Sequence, residues 1–176
     1  MADEPETTFP DIPYGGAPSV FLDLSSNGTT IEGDSAQKGH EGALECVYFS
    51  SSVATTQLTS GAGMATGRRT HGPIVIRKRI DRATPLLAKS LVQNEVAAGT
   101  FRFYRTSDDG TEEHFFTIAF QQGRVSSQTT YSSDNVAAAG VAGSSPFMEE
   151  VQFVYRRVSW TYEPGGIVFE DSWSIV

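Results

Sequence analysis

A glycine-rich stretch is the first place where this sequence could bind a phosphate group. Gly61, Gly63 and Gly67 approach the spacing of a dinucleotide-binding loop, but the third glycine is one residue too late for G-x-G-x-x-G and no helical pattern follows. Arg68 and Arg69 stand where a P-loop needs Lys and then Ser or Thr. The stretch therefore predicts a long exposed loop rather than a phosphate site.

The three histidines offer the next possible chemistry. His40-Glu41 begins like the helix of a zinc protease, but Leu44 stands where the second histidine must be and Gly42 disfavours a helix. His71 and His114 have no Cys or His at ligand spacing. No G-x-S-x-G motif is present, and no nucleophile, base and orienting group can be nominated together. We predict structural or surface histidines, no metal, no cofactor and no catalysis.

Length and composition limit the class of protein further. The 176 residues suit one domain. They include 13 Lys and Arg against 21 Asp and Glu, a net charge of −8 that argues against nucleic acid or an anionic membrane as partner. The single Cys46 cannot form an internal disulfide, so we predict a small core residue. The N-terminus lacks the pattern of a signal peptide and no apolar run could span a bilayer, which predicts synthesis in the cytoplasm without membrane insertion.

The first half of the chain begins with a segment rich in proline and acids, residues 1–18, which predicts a flexible arm before a single domain over 19–176. A first strand follows, with an Asn27-Gly28 hairpin turn. Further strands are predicted over 43–53 and 73–80, with a long loop over 55–70 between them. Thr84 as N-cap and Pro85 at the first helical position predict one short helix over about 85–94.

The second half alternates throughout as β-strands. Strands are predicted over 101–105, 114–120, 123–130, 148–163 and 167–173, with a second loop over 131–147. The strand over 148–163 is expected to be the longest and changes its inward face near Arg156 and Arg157, where we predict a bulge. The fold class expected is mainly β, a two-sheet barrel or sandwich with one helix.

Six of the 13 basic residues fall in one stretch of this acidic chain. Three interpretations stay open: a solvated face, a nucleic-acid footprint, and one half of a self-complementary surface that pairs with the acidic arm of another copy. The residues are Arg68, Arg69, Arg77, Lys78, Arg79 and Arg82.

An ordered series of short motifs resembles the hemolysin-coregulated proteins (Hcp), the inner-tube subunits of type VI secretion systems. The resemblance covers about residue 20 to the C-terminus, and five motifs in the correct order are far more specific than any one of them. The arm is longer than the usual family start, and Phe49-Ser50-Ser51 replaces a pattern that contains tryptophan in many members. The matching segments are His40 to Glu45, Arg79 to Leu87, Phe115 to Ser127, Met148 to Phe153, and Ser159 to Trp173.

The resemblance implies a β-barrel-like subunit of a homo-hexameric ring that stacks head to tail into a tube. A contractile sheath would expel this tube, which carries a spike protein of the VgrG type at its tip. Baseplate components would be further partners. It further implies effector proteins in the lumen and export through the apparatus. Both long loops then become candidate contacts between rings. We expect assembly contacts at Arg68, Arg69, Arg77, Arg79, Gly61 and Gly63, and lumen-facing side chains at Ser50 and Ser52 from strand alternation.

Two other functions stay open on the sequence. The tail tube of a phage-like contractile particle would share the architecture. A monomeric β-barrel that binds a small apolar ligand would instead require a large internal cavity and a monomer in solution.

Overall fold

In the computed structural model of the protein, residues 19–55, 69–132 and 147–173 are described. The predicted arm and the middle of both predicted loops lie outside these residues. Among the described residues, no helix is long and apolar enough to cross a bilayer. The elements in chain order are β1 (Ser19–Ser26), β2 (Thr29–Ile31), β3 (Leu44–Cys46), β4 (Tyr48–Ser50), β5 (Val53–Thr55), β6 (Arg69–His71), β7 (Ile74–Arg79), α1 (Thr84–Val92), β8 (Ala97–Thr106), β9 (Glu112–Ser132), β10 (Phe147–Val154), β11 (Arg157–Tyr162) and β12 (Ile167–Ser172).

The strands form two antiparallel layers that share β9. In the first layer β1, β8, β9, β11 and β12 lie side by side, and β2 and β3 pair with the outer edge of β1. In the second, β9, β10, β7 and β4 follow one another. The hairpin of β5 and β6 forms a separate small sheet. The prediction of a mainly β fold of two sheets with one short helix is confirmed, although the described strands do not close into a complete barrel.

One long strand, β9, carries the chain from the first layer into the second. The sequence predicts two strands, 114–120 and 123–130, where the structure has 21 continuous residues, the longest strand described. Gln122, in the left-handed region at φ 51°, sits at the change of layer. The next residue, Gly123, has no room for a side chain, because a Cβ there would lie 2.7 Å from the Phe120 ring and 2.9 Å from the Val154 carbonyl oxygen.

The predicted strand over 43–53 is wrong in its length, since three short strands occupy this region. Leu44 and Cys46 are buried against the first layer, where β3 pairs with β1. At Val47 the chain crosses to the second layer, and Phe49 of β4 then packs inward while Tyr48 is exposed. The crossing breaks the alternation that a single strand would keep.

The predicted change of face near Arg156 is confirmed, but the predicted bulge is wrong. Phe153 and Tyr155 are buried before the change and Val158 after it. The chain leaves the second layer after Val154 and enters the first at Arg157, so that β10 and β11 are separate strands. The ends of the predicted loops are also strands, with Thr55 in β5 and Phe147 in β10.

Helix α1 lies within two residues of its predicted bounds. Pro85 falls in its first turn as expected, but Ala83 occupies the N-cap position and Thr84 makes no side-chain capping bond. Leu87 and Ser90 are fully buried, whereas the neighbouring Leu86 is 42% exposed. The helix therefore covers the open end of the sheets along a narrow stripe.

Aromatic rings occupy the space between the two layers. Phe101, Phe120 and Phe153 are at most 1% exposed, and the Phe120 ring centroid lies 5.2 Å from that of Phe153. Phe49 packs edge-on against Phe101 at 4.9 Å. A core filled in this way disfavours the interpretation as a small-ligand barrel, which requires the same space to be open.

We predict that Phe120→Ala lowers the free energy of unfolding by about 3 to 5 kcal/mol, because it removes a ring from the centre of this core. The control is Leu86→Ala, whose side chain is 42% exposed on α1; it should cost less than about 1 kcal/mol. Urea unfolding followed by tryptophan fluorescence measures both. Equal losses in the two variants would contradict the assignment of the core.

Candidate assembly surfaces

The basic stretch predicted as a surface contains one residue that is not on the surface. Lys78 is 1% exposed, because the inward row of β7 runs through Ile74, Ile76 and Lys78. Its Cα partner on β10 is Glu149, which is 0% exposed, and the two side chains form an ion pair at 2.7 Å. Lys78 therefore belongs to the interior and not to a basic face.

Lys78 and Glu149 form the centre of a fully bonded polar network that we call the Lys78–Glu149 centre. The Lys78 ammonium also donates to Asp81 Oδ1 at 2.5 Å and to the Arg79 carbonyl at 2.9 Å. Glu149 accepts from the Thr84 hydroxyl and from Gln128 Nε2, both at 2.7 Å. Three strands and the start of the helix are thereby joined by charge-assisted hydrogen bonds.

The helix start depends directly on this centre. Asp81 Oδ1 accepts the Ala83 backbone N–H at 2.9 Å, and the Asp81 N–H donates to the Thr84 hydroxyl at 3.1 Å. Gln128 Nε2 also donates to the Thr84 carbonyl at 3.0 Å. Thr84 thus bonds to the sheet instead of capping its own helix, which explains why the capping prediction is wrong.

The exposed arginines of the predicted surface all have acidic partners within the chain. Arg77 donates to Glu150 at 2.9 Å, which lowers the pKa of that carboxyl, and lies 4.7 Å above the Tyr48 ring. Arg79 lies 3.9 Å from Glu45 and is about half exposed. Arg82 Nε donates to Asp34 Oδ1 at 2.5 Å.

Arg69 and His71 hold the β5–β6 hairpin against β12, in a group that we call the Asp171 clamp. Arg69 forms a two-pronged bond to the Asp171 carboxylate, one prong at 2.6 Å, and His71 Nε2 lies 2.8 Å from Asp171 Oδ2. The His71 ring is stacked on Trp173 with centroids 3.9 Å apart. The hydrogen bonds from Arg69 are the main reason that the pKa of Asp171 is lowered to about 2, and the contact with His71 lowers it further by a smaller amount.

The remaining predicted site residues are distributed unevenly. Arg68, Gly61 and Gly63 lie outside the described residues. Ser50 is half-buried in β4, and Ser52 is exposed just beyond it, where its carbonyl accepts the Gly72 N–H at 2.9 Å. The structure brings Arg77 and Ser50 onto neighbouring strands β7 and β4, while Arg69 lies apart at the Asp171 clamp.

The other histidines and the cysteine have structural contacts, as predicted. The buried His40 ring stacks on Phe21 at 4.0 Å and its Nε2 lies 3.0 Å from Glu112 Oε2. Burial raises the pKa of the Cys46 thiol to about 12, which keeps it protonated and unreactive. No cluster of His, Cys, Asp and Glu suited to a metal ion occurs among the described residues.

Sequence reasoning missed a run of three exposed apolar side chains on the outer strand β12. Ile167, Val168 and Phe169 are 69%, 62% and 65% exposed, and among the described strands β12 pairs only with β11. The alternation of the predicted strand over 167–173 puts Ile167, Phe169 and Trp173 on one face. The available signal was the run of three apolar residues, which in a strand must expose an apolar side chain on at least one face.

This architecture and sequence are similar to those of known proteins. Residues 21–162 match the family model described as "Type VI secretion system effector, Hcp". The chain is 33% identical over 142 residues to the "Major exported protein" of Pseudomonas aeruginosa strain PAO1, covering 80% of this chain and 81% of that protein. Among solved structures it is similar to Hcp1 from E. coli EAEC 042, with a TM-score of 0.78, 26% identity and coverage of 90% and 100% of the two chains. Secreted protein Hcp3 from Pseudomonas aeruginosa shares the fold, with a TM-score of 0.71, 24% identity and coverage of 90% and 100%.

We predict that Lys78→Met lowers the free energy of unfolding by about 3 to 5 kcal/mol, because it leaves the buried Glu149 carboxylate without its counter-charge. The matched control is Arg79→Met, one residue along the same strand on the exposed face, for which we expect a change of less than about 1 kcal/mol. Chemical denaturation at pH 7 measures both. A loss in Lys78→Met no larger than in the control would contradict the central role of the pair.

A second prediction concerns the acid stability of the Asp171 clamp. Because the folded pKa of Asp171, about 2, is lower than the value of 3.8 for an unperturbed aspartate, its contribution to stability is present above pH 4 and is lost as the pH falls towards 2. Asp171→Asn should therefore be less stable than the parent at pH 7, and the difference should shrink below pH 4. The control is Glu170→Gln on the opposite face of β12, and unfolding midpoints at each pH provide the measurement. A difference that is constant from pH 7 to pH 2.5 would contradict the clamp.

Proposed function

The chain belongs to the Hcp family of type VI secretion system proteins, and on that premise we propose that it forms homo-hexameric rings that stack head to tail into the inner tube. In this proposal a contractile sheath expels the tube together with a spike protein, and the baseplate is its assembly site. Effector proteins travel in the lumen, and the subunit leaves the cell through the apparatus itself. The family is one of structural secreted proteins and not of enzymes.

The exposed edge strand β12 is the observation that carries this proposal. An unpaired edge with large apolar side chains is a site where another chain adds. Natural monomers protect such edges with charge, proline or a bulge, whereas Ile167, Val168 and Phe169 stand at 62% to 69% exposure. We therefore infer that a second copy covers β12 in the assembled protein.

The positions of the edges favour a ring over a simple dimer. A different group of apolar side chains, Val47 and Tyr48, is exposed where the chain crosses from β3 to β4. Strand β4 is an outer strand of the second layer, and β12 is an outer strand of the first. An interface between two unlike edges is heterologous, and repeating it produces a closed ring when the rotation suits.

The remaining predicted contacts are part of the same proposal. We propose that the segments between β5 and β6, with Gly61, Gly63 and Arg68, and between β9 and β10 contact the next ring. Arg69, Arg77 and Arg79 support these contacts from the described surface. These arginines form ion pairs with Asp171, Glu150 and Glu45 of the same chain. The interface would therefore contain both positive and negative side chains rather than positive ones alone. Ser50 and Ser52 are assigned to the lumen in this arrangement.

Native mass spectrometry and negative-stain images of the purified protein test the proposal. We expect the mass of six subunits and ring-shaped particles for the parent chain. Phe169→Lys should shift the mass to smaller species, because it places a charge at the centre of the apolar edge. The control is Leu86→Lys, a similarly exposed apolar residue on α1, which should still form rings. A parent chain that is monomeric at micromolar concentration, or an unchanged ring in Phe169→Lys, would contradict the proposal.

A further inference from the structure

At one end of the layers, the exposed Arg156 and the half-buried Arg124 lie near three exposed valines. We call this group the Arg124–Arg156 patch. Both arginines line a surface depression together with Val96 and Gln122. Val154 is the Cα partner of Arg124 across β9 and β10. Val92, Val96 and Val154 are 83%, 49% and 46% exposed, so the patch offers positive charge and apolar area side by side.

The arginines of this patch differ from almost all other described cations. Nine of the described Lys and Arg side chains have a nitrogen atom within 4 Å of a carboxylate oxygen of the same chain. Among the described residues, Arg124, Arg156 and the distant Lys38 have no such partner. Arg124 donates to the Asn94 carbonyl, and only the backbone of Arg156 makes hydrogen bonds. In a chain of net charge −8, this patch is therefore the described surface best suited to an acidic segment.

The sequence contains a segment of the complementary chemistry. Residues 1–18 include Asp3, Glu4, Glu6 and Asp11 and no Lys or Arg. Phe9, Ile12 and Tyr14 supply apolar side chains in the same segment. Acidic and apolar groups in one short stretch match the arginines and valines of the patch.

The two features lie at opposite ends of the subunit. The arm joins β1 at Ser19, which pairs with Tyr104 near the end of β8. The patch lies at the other end of these strands, where the Asn27 N–H donates to the Val96 carbonyl and Ala97 pairs with Ser26. Strand β1 alone separates the two ends by about 23 Å at the usual rise per residue. Two features at opposite ends of one subunit can meet only when copies lie end to end or when the arm folds back along the strands.

We propose that the acidic arm, residues 1–18, of one copy binds the Arg124–Arg156 patch of a second copy in the neighbouring ring. This rests on the head-to-tail stacking proposed above and assigns a contact to the segment that precedes β1. Binding within one copy would require the arm to turn back along the whole length of the strands. Binding between copies needs only that the 18 residues before Ser19 reach past the end of β1.

Cross-linking between full-length single-cysteine variants tests the proposal. Thr7→Cys places a thiol in the arm without changing its charge, and Gln93→Cys places one beside Val92 at the patch. Cys46 does not compete, because it is buried and its thiol pKa is about 12. We expect a short bifunctional maleimide to join the two variants into a product of twice the subunit mass when they are mixed. Each variant alone provides the background.

Charge variants in the Gln93→Cys partner separate a specific contact from random encounter. Arg156→Glu should lower the yield about fivefold, the effect of turning a partly exposed attraction into repulsion. The matched control Lys38→Glu makes the same change of charge elsewhere and should leave the yield within about twofold. Asp3→Lys with Glu4→Lys in the Thr7→Cys partner should restore the yield with Arg156→Glu.

Two outcomes would overturn the inference. One is a yield that Arg156→Glu and Lys38→Glu lower equally. The other is a double variant, Thr7→Cys with Gln93→Cys, that reacts only within a single copy. The same samples examined by native mass spectrometry and electron microscopy keep the tests separate: rings and tubes without the cross-link overturn the arm contact alone, and the cross-link without rings supports the arm contact and contradicts the ring.

Discussion

The buried pair of Lys78 and Glu149 is the interaction on which the rest of the subunit depends. Removing two charges from water costs several kcal/mol for each ion, and direct attraction alone often fails to offset that cost. Here every polar atom of the pair is provided with partners from β7, β9 and the start of α1. An apolar pair could fill the same volume, but only this arrangement fixes the helix start at one register against the sheets, because each bond has a direction.

Changes of layer, more than individual strands, determine the shape of this domain. The chain crosses between the layers at Val47, at Gln122 and Gly123, and at Tyr155 and Arg156. At each crossing the residues that face the core change between even and odd positions in the sequence. One continuous core therefore includes residues of both kinds. The crossings also decide which strands are left at the edges, since β4 and β12 end the two layers. The apolar edge of β12 is therefore a consequence of the path of the chain.

Local chemistry allowed much of the fold to be predicted from the sequence. The Asn27-Gly28 turn, with φ of 49° and 78°, depends on neighbours in the chain and was predicted correctly, as was the place of the helix around Pro85, although not its cap. The continuity of β9 and the break after Val154 depend on pairing with distant strands, so alternation could not separate a bulge from a crossing. The burial of Lys78 was missed for the same reason: its partner Glu149 is 71 residues away in sequence, and only the register of β7 with β10 places them opposite each other.

The motifs that identify the family lie mainly where the subunit is held together. Asp81 and Thr84 belong to the Lys78–Glu149 centre together with Glu149, and Asp171 and Trp173 belong to the clamp on the β5–β6 hairpin. Such residues are constrained by burial and by several partners at once. The surfaces that we assign to assembly, the apolar side chains of β12 and the Arg124–Arg156 patch, have few partners within the described part of the chain. A sequence of this kind therefore reveals its fold family readily, whereas the contacts that make its assembly specific become visible only when internal pairing has been assigned residue by residue.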